Sequence, residues 1–172
     1  MTGSISRTEL IAAAEVGEGQ TPPMIAADHA ALLSSGDPDL AANKRLCYDM
    51  YRTLLQAGQV DQTSRFIAPG YIQHNPNVAS GAAALEAFIR SSRPERPLEE
   101  GVALPLVSIV AERDMVTFLF VRKETDDGGN LYFTTWFDTF RIEDGKIAEH
   151  WDPALKSAEM LKFDPNKKRL DG

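Results

Sequence analysis

Cysteine occurs once in the 172 residues, at Cys47, which excludes an intrachain disulfide and any cysteine-rich zinc centre. Cys47 falls on the apolar stripe of a predicted helix and reads as a buried, inert thiol. Positive charge is also scarce: 18 Lys and Arg stand against 25 Asp and Glu, for a formal net charge of -7. A nucleic-acid or anionic-membrane surface needs a basic cluster, and the sole basic run, Lys167-Lys168-Arg169, reads as a solvated end. No apolar run is long enough to span a bilayer. The stretch from Leu10 to Val16 is interrupted by Glu15 and lacks the basic start and long apolar centre of a secretion signal. The expectation is a cytoplasmic protein with no nucleic-acid or membrane partner.

What is present fits one well-filled core. Residues 1–40 are Ala-rich and broken by Pro22-Pro23 and Gly36-Asp37-Pro38-Asp39, so they read as an N-terminal arm, partly helical or disordered, with a helix near Ala26 to Leu33 that docks on the body or on a second subunit. The body is expected over 41–165 and a tail over 166–172. Leu46, Cys47, Met50, Leu54 and Leu55 recur at helical steps behind Asn43 as a cap, with Gly58 as the stop. A shorter helix is predicted over Val60 to Ile67, ahead of Pro69-Gly70, then a short strand from Tyr71 to His74. A third helix follows, capped by Ser80 and burying Ala82, Leu85, Phe88 and Ile89. The periodicity then becomes that of sheet: Val102 to Val110, Met115 to Lys123, Leu131 to Ile142 and Lys146 to Asp152 read as four sequential antiparallel strands, with a short helix after Pro153. Helices followed by a meander imply an α+β domain with helices covering one face of a curved sheet.

The last hairpin, Trp136 to Asp152, carries most of the titratable groups that could share a pocket. A two-residue turn at Asp144-Gly145 sets Ile142 opposite Ile147 and turns His150 away from Asp138. A three-residue loop with Gly145 left-handed sets Ile142 opposite Lys146, Phe140 opposite Ala148, Asp138 opposite His150 and Trp136 opposite Asp152. The second register is expected, because it pairs Arg141 with Glu149 in water, whereas the first buries Glu149 beside Asp138. It predicts an inward cluster of Trp136, Asp138, His150 and Asp152, with Trp151 facing outward. In the Tyr71–His74 strand, Ile72 and His74 share a face that Ile72 marks as the inner one, leaving Gln73 outward or lining an edge.

Tyr71-Ile-Gln-His-Asn-Pro76 and Asp138-Thr-Phe-Arg-Ile-Glu-Asp-Gly-Lys-Ile-Ala-Glu-His-Trp-Asp152, with this order of elements, resemble the SnoaL-like family of the NTF2-like superfamily, in the branch of polyketide cyclases and aldol-condensation-catalysing proteins. The resemblance covers about Asn43 to Phe163. It implies a cone-shaped α+β barrel, a curved sheet wrapped around helices with a pocket at the wide end, and often a homodimer through the sheet's outer face. It also implies an acid/base aspartate acting without metal or cofactor, which the motif leaves open between Asp138 and Asp152.

An aldol or enolisation site needs a base near the acidic C–H and a donor near the carbonyl oxygen. Asp152, His150, Asp138 and His74 are the candidate catalytic residues: Asp138 orients His150 as a proton donor, and Asp152 is the better mobile base. Trp136, Tyr71, Asn75 and Phe140 are the candidate substrate contacts. Structural readings stand beside these, with Asp138–His150 as a scaffold pair, His74 as a turn partner and Trp136 as core. Two imidazoles and two carboxylates also make a conceivable metal site, but without close His spacing no metal is expected, nor any other cofactor. The expected ligand is a small apolar carbonyl compound. The expected activity is aldol-type cyclisation, retro-aldol cleavage or isomerisation. A non-catalytic binding protein and a mainly structural dimer are the alternatives.

Overall fold

A computed structural model describes residues 10–16 and 20–156. It shows an α+β architecture, a five-stranded sheet packed against helices, with a two-stranded sheet added by the arm. In the arm, β1 (Leu10–Ala12) pairs antiparallel with β2 (Met24–Ala26). Next comes α1 (His29–Leu33), capped by the Asp28 side chain, shorter than expected. Ala26, Leu32 and Leu33 are buried in the main core, and the Lys44 ammonium donates to the Leu32 and Ser34 carbonyls. The arm's apolar residues thus complete the core rather than cover it loosely.

The long helix starts earlier than its apolar stripe. In α2 (Pro38–Met50), Asp37 is the N-cap, accepting from the Asp39 and Leu40 amides, and Pro38 occupies the first turn, where its missing N–H is no loss. Asn43, expected as the cap, lies inside the helix, and the supposed Gly-Asp-Pro-Asp break is its start signal. The helix continues into a wide π turn over Tyr51–Gln56 and stops at Gly58, whose φ is +68°. A π turn inserts extra backbone and re-aims side chains; here Met50, Tyr51 and Leu55 all reach one cavity.

A 3-10 turn (Val60–Gln62) and α3 (Thr63–Phe66) lead into β3 (Ile67–Gln73), so Ile67 opens the strand instead of closing the helix. Helix α4 (Ala82–Ser92) buries Leu85 and Ile89 and starts at Gly81, with φ +102°. Ser80 is not its cap: its hydroxyl accepts from the Gln73 amide. The meander is β4 (Leu106–Glu112), β5 (Met115–Thr125), β6 (Leu131–Glu143) and β7 (Lys146–Trp151). Val102 and Leu104, expected in the first of these strands, are buried in the loop before it. Pro153 to Lys156 form no helix, and the rest of the expected terminal helix lies outside the described residues.

The sheet order is β3-β7-β6-β5-β4. The meander strands are antiparallel, and β3 joins the edge parallel to β7. A register shift around Ala68-Pro69-Gly70 accommodates the proline, which an edge strand tolerates and a central one does not. Phe118, Phe120 and Phe140 form the aromatic centre of the concave face: Phe118 and Phe120 pack on Tyr51, and Phe140 meets Phe118 edge-on.

The β6–β7 hairpin corrects the expected register. Asp144 and Gly145, at φ +50° and +70°, form a two-residue turn of the type that matches strand twist, with Glu143 opposite Lys146 and Ile142 opposite Ile147. The register then shifts, so that Arg141 meets Glu149 and Phe140 meets His150. Ala148 is the extra residue of this bulge, and it and Ile147 are both buried. A bulge changes the parity of everything after it, so the turn that had been expected to point His150 outward delivers it inward. Arg141 and Glu149 still pair on the outer face, at 2.6 Å.

Candidate active site

The concave face of the sheet, α2 with its wide turn, and α4 enclose a cavity of about 540 Å³. Most of its wall is apolar, from Met50, Leu55, Ile67, Leu85, Phe88, Phe140 and Ile147. Polar groups gather where β3, β6 and β7 lie side by side: Tyr71 and Gln73, Trp136 and Asp138, His150, then Asn75 and Asp152 just beyond the strand ends. Pro153 to Lys156 line the rim.

These polar groups form one hydrogen-bonded network. The Asp138 carboxylate lies 3.0 Å from His150 Nε2 and accepts from Trp136 Nε1 at 3.3 Å and the Tyr51 hydroxyl at 3.2 Å. His150 Nδ1 lies 2.8 Å from Gln73 Oε1, and Phe140 stacks on the imidazole with centroids 5.0 Å apart. Gln73 Nε2 donates to the Tyr71 hydroxyl at 3.1 Å. Asp152 accepts from Asn75 Nδ2 at 2.7 Å and from the Ala154 amide at 2.9 Å. The Asn75 carbonyl oxygen is held by the Asn77 amide and side chain, which fixes the Asn75 NH2 group toward Asp152.

Burial pushes the Asp152 carboxyl above its ordinary value, an effect only partly offset by the charge of His150 and by the Ala154 and Asn75 donors. Burial likewise pushes the Tyr71 phenol strongly up, aided by the negative charges of Asp138 and Asp152. A carboxyl with a raised pKa at the wall of an apolar cavity holds a proton more readily than a free one, whereas several donors fix a carboxylate's orientation. Asp152 has the first character, and Asp138, with three partners, the second.

Seven of the eight residues singled out in the sequence line the cavity: Tyr71, Asn75, Trp136, Asp138, Phe140, His150 and Asp152. His74 does not. Its expected inward direction is reversed, because Ile72 pairs with Glu149 and Gln73 with His150. Ile72 and His74 therefore face outward and Tyr71 and Gln73 inward. His74 bonds Glu149 at 2.8 Å and stacks flat on Trp151, centroids 4.4 Å apart. Taking the apolar Ile72 as the inward marker failed because the inner face here is polar and matched to His150.

Gln73 and Tyr51 are the members that sequence reasoning missed. For Gln73 the available signal was its two-residue spacing from Tyr71; for Tyr51, its four-residue spacing from Cys47 on the helix stripe. Arg122 also borders the cavity, stacked 4.5 Å from the Trp136 ring centre and paired with Glu124.

Ligand atoms of Asp138, His150 and Asp152 lie within 4.8 Å of one another, a spacing a cation could use. The donor set does not fit one. Both His150 nitrogens face Asp138 and Gln73, each carboxylate already accepts internal donors, and His74, the second imidazole of the conceivable site, faces outward.

The fold is an α+β cone of the NTF2-like kind with an apolar-walled cavity on the concave side of its sheet. A sequence model of the SnoaL-like domain matches residues 48–150, and the chain belongs to that family. No curated protein matches it. Among solved structures, it is similar to a candidate polyketide cyclase from Acidithiobacillus ferrooxidans, at 14% identity and a TM-score of 0.49 over 78% of this chain and 98% of the other. It is also similar to a protein of unknown function with a cystatin-like fold from Xanthomonas campestris, at 21% identity and 0.46 over 74% and 98%. A third similar structure is TsrD from Streptomyces laurentii, at 21% identity and 0.44 over 73% and 95%. Among the described residues, no helix is long and apolar enough to cross a membrane.

Proposed function

We propose that the cavity is the active site of an enzyme that moves a proton on an enolisable carbonyl compound, without metal or cofactor, in aldol-type cyclisation, retro-aldol cleavage or isomerisation. The observation that carries this is Asp152: a half-buried carboxyl with a raised pKa, at the polar end of an otherwise apolar cavity. In the reading, the Asp152 carboxylate takes the proton alpha to the carbonyl. Tyr71, whose oxygen accepts from Gln73 and whose own hydrogen is not used in that bond, donates to the developing enolate oxygen. The proton on Asp152 then returns to carbon in an isomerisation, or to the new alkoxide after the enolate carbon attacks a second carbonyl. His150 and Asp138 serve as a fixed, hydrogen-bonded pair beneath the substrate.

The test is deuterium exchange of alpha protons in a panel of β-dicarbonyl compounds, followed by NMR. The folded wild-type protein should accelerate exchange, and Asp152→Asn should lose most of that acceleration, a fall of about a hundredfold or more for a general base. Unchanged exchange in a folded Asp152→Asn protein sinks the mechanism. The mainly apolar wall supports a second reading, a carrier that holds the same compounds without turnover; calorimetric binding with no exchange selects it.

We also propose that a second copy of the chain covers the outer sheet face. Ile72, Phe137 and Val110 are 44%, 44% and 59% exposed there, and a two-fold axis sets such a patch against itself.

A further inference from the structure

We infer that Gln73 is the positioning residue of this site: it keeps a proton on His150 Nδ1 and turns the Tyr71 hydroxyl hydrogen toward the cavity. A backbone donor fixes which way the Gln73 amide points. The Asn75 amide donates to Gln73 Oε1 at 3.0 Å, so the atom at that position is the oxygen and the Gln73 NH2 group points the other way. The same oxygen lies 2.8 Å from His150 Nδ1. Two acceptors cannot face each other across that distance, so Nδ1 bears hydrogen. The NH2 group lies 3.1 Å from the Tyr71 oxygen and donates to it, which leaves the phenolic hydrogen for another acceptor.

The consequence reaches the other side of the ring. With Nδ1 occupied, a neutral imidazole would turn the Nε2 lone pair on Asp138 Oδ1, 3.0 Å away. That contact is favourable only when a proton lies between the two atoms, so the His150–Asp138 pair retains one. The pair then acts as a fixed donor and charge, and Asp152 is left as the group free to gain and lose a proton. The titratable and charged groups lining this cavity with His150 are Asp138 on β6, Asp152 after β7, Tyr71 on β3, Tyr51 on the π turn, Arg122 on β5, Arg93 after α4 and Lys156 at the rim. Among the described residues, the hydrogen-bond acceptor on His150 Nδ1 is Gln73 Oε1. A glutamine serves better than a carboxylate here, because it accepts from one group and donates to another without adding a negative charge beside Asp138 and Asp152.

This inference builds on the acid/base reading for its consequence, but its measurement needs no turnover. In the free protein, ring nitrogen NMR should show His150 Nδ1 protonated; an Nε2-only tautomer overturns the proposal outright. In Gln73→Leu, under the same conditions, the ring should switch to the Nε2-H tautomer facing Asp138, and the Asp152 carboxyl carbon should titrate at higher pH, since the positive charge near it has gone. Gln73→Glu, which retains an acceptor, should restore the Nδ1 proton. A purely structural Gln73 would lower stability in Gln73→Leu and leave the His150 tautomer and the Asp152 titration where they were, and that result sinks the idea. Failure of deuterium exchange in every substrate would remove the enzyme reading and leave these ring-proton results standing. Should Gln73→Leu not fold, the wild-type tautomer and the Gln73→Glu spectrum decide the matter.

Discussion

At the scale of single residues, the site separates two carboxyls that look alike in the chain. Asp138 sits among donors from three elements, and Asp152 at the rim with two and a raised pKa. That shift has a consequence for stability. A carboxyl whose folded pKa lies above its unfolded value stabilises the fold fully at pH below the unfolded pKa, and the contribution is lost as pH rises through the folded one. Wild type should therefore lose ground to Asp152→Ala as pH climbs from below about 4, the ordinary carboxylate value, to neutrality. Urea midpoints of the two proteins across that range test it, and a constant difference between them contradicts it. Such an arrangement suits function better than stability, since the group that is costly to ionise in the fold is the one proposed to carry the proton.

Among elements, the β6–β7 hairpin decides whether the site exists. Its turn and its bulge act in opposite senses: the two-residue turn alone would put His150 on the convex face, and Ala148 restores it to the concave one. The turn rests on left-handed backbone at Asp144 and Gly145, and a Cβ on Gly145 would meet no atom within 4 Å. Gly145→Ala should thus cost only the backbone term, about 1 kcal/mol, read from urea unfolding; a cost near zero would contradict the left-handed assignment. The π turn is the helix's own irregularity: it begins at Tyr51 and carries Leu55 to the same cavity. Both are irregularities in otherwise regular elements, and both lie beside the cavity, where aiming a side chain matters more than ladder regularity.

For the whole molecule, the sheet has two unlike faces. The concave one is filled by aromatic residues and the polar network. The convex one carries exposed Ile72, Val110 and Phe137 beside the Arg141–Glu149 pair and the His74–Trp151 stack. His74 thus belongs to the face proposed to take a second copy. Light scattering should give a mass of twice the 18.9 kDa chain, and Phe137→Glu, by placing a charge in the apolar patch, should reduce it to that of a single chain with the fold retained. A monomeric wild-type protein would refute the proposed pairing. The arm bears on the same architecture: Ala26, Leu32 and Leu33 enter the core, so its Ala-rich composition conceals a packing role.

Sequence alone determined the main helices and meander strands, the α+β order, the family and the choice of Tyr71, Asn75, Trp136, Asp138, Phe140, His150 and Asp152 as candidates, because these follow from local periodicity and a distinctive pair of motifs; the two strands of the arm it did not reveal. Helix α2's true start was also written there, in Asp37-Pro38, but was masked by reading proline as a break and not as a first-turn residue. Only the tertiary structure decided the faces of β3 and the true register of the last hairpin. A one-residue bulge leaves no mark in a period of two, and the inward turn of polar Gln73 makes sense only once His150 lies opposite. Direction of a side chain within a sheet depends on the sum of every irregularity before it, and that sum is set by the packing of distant strands.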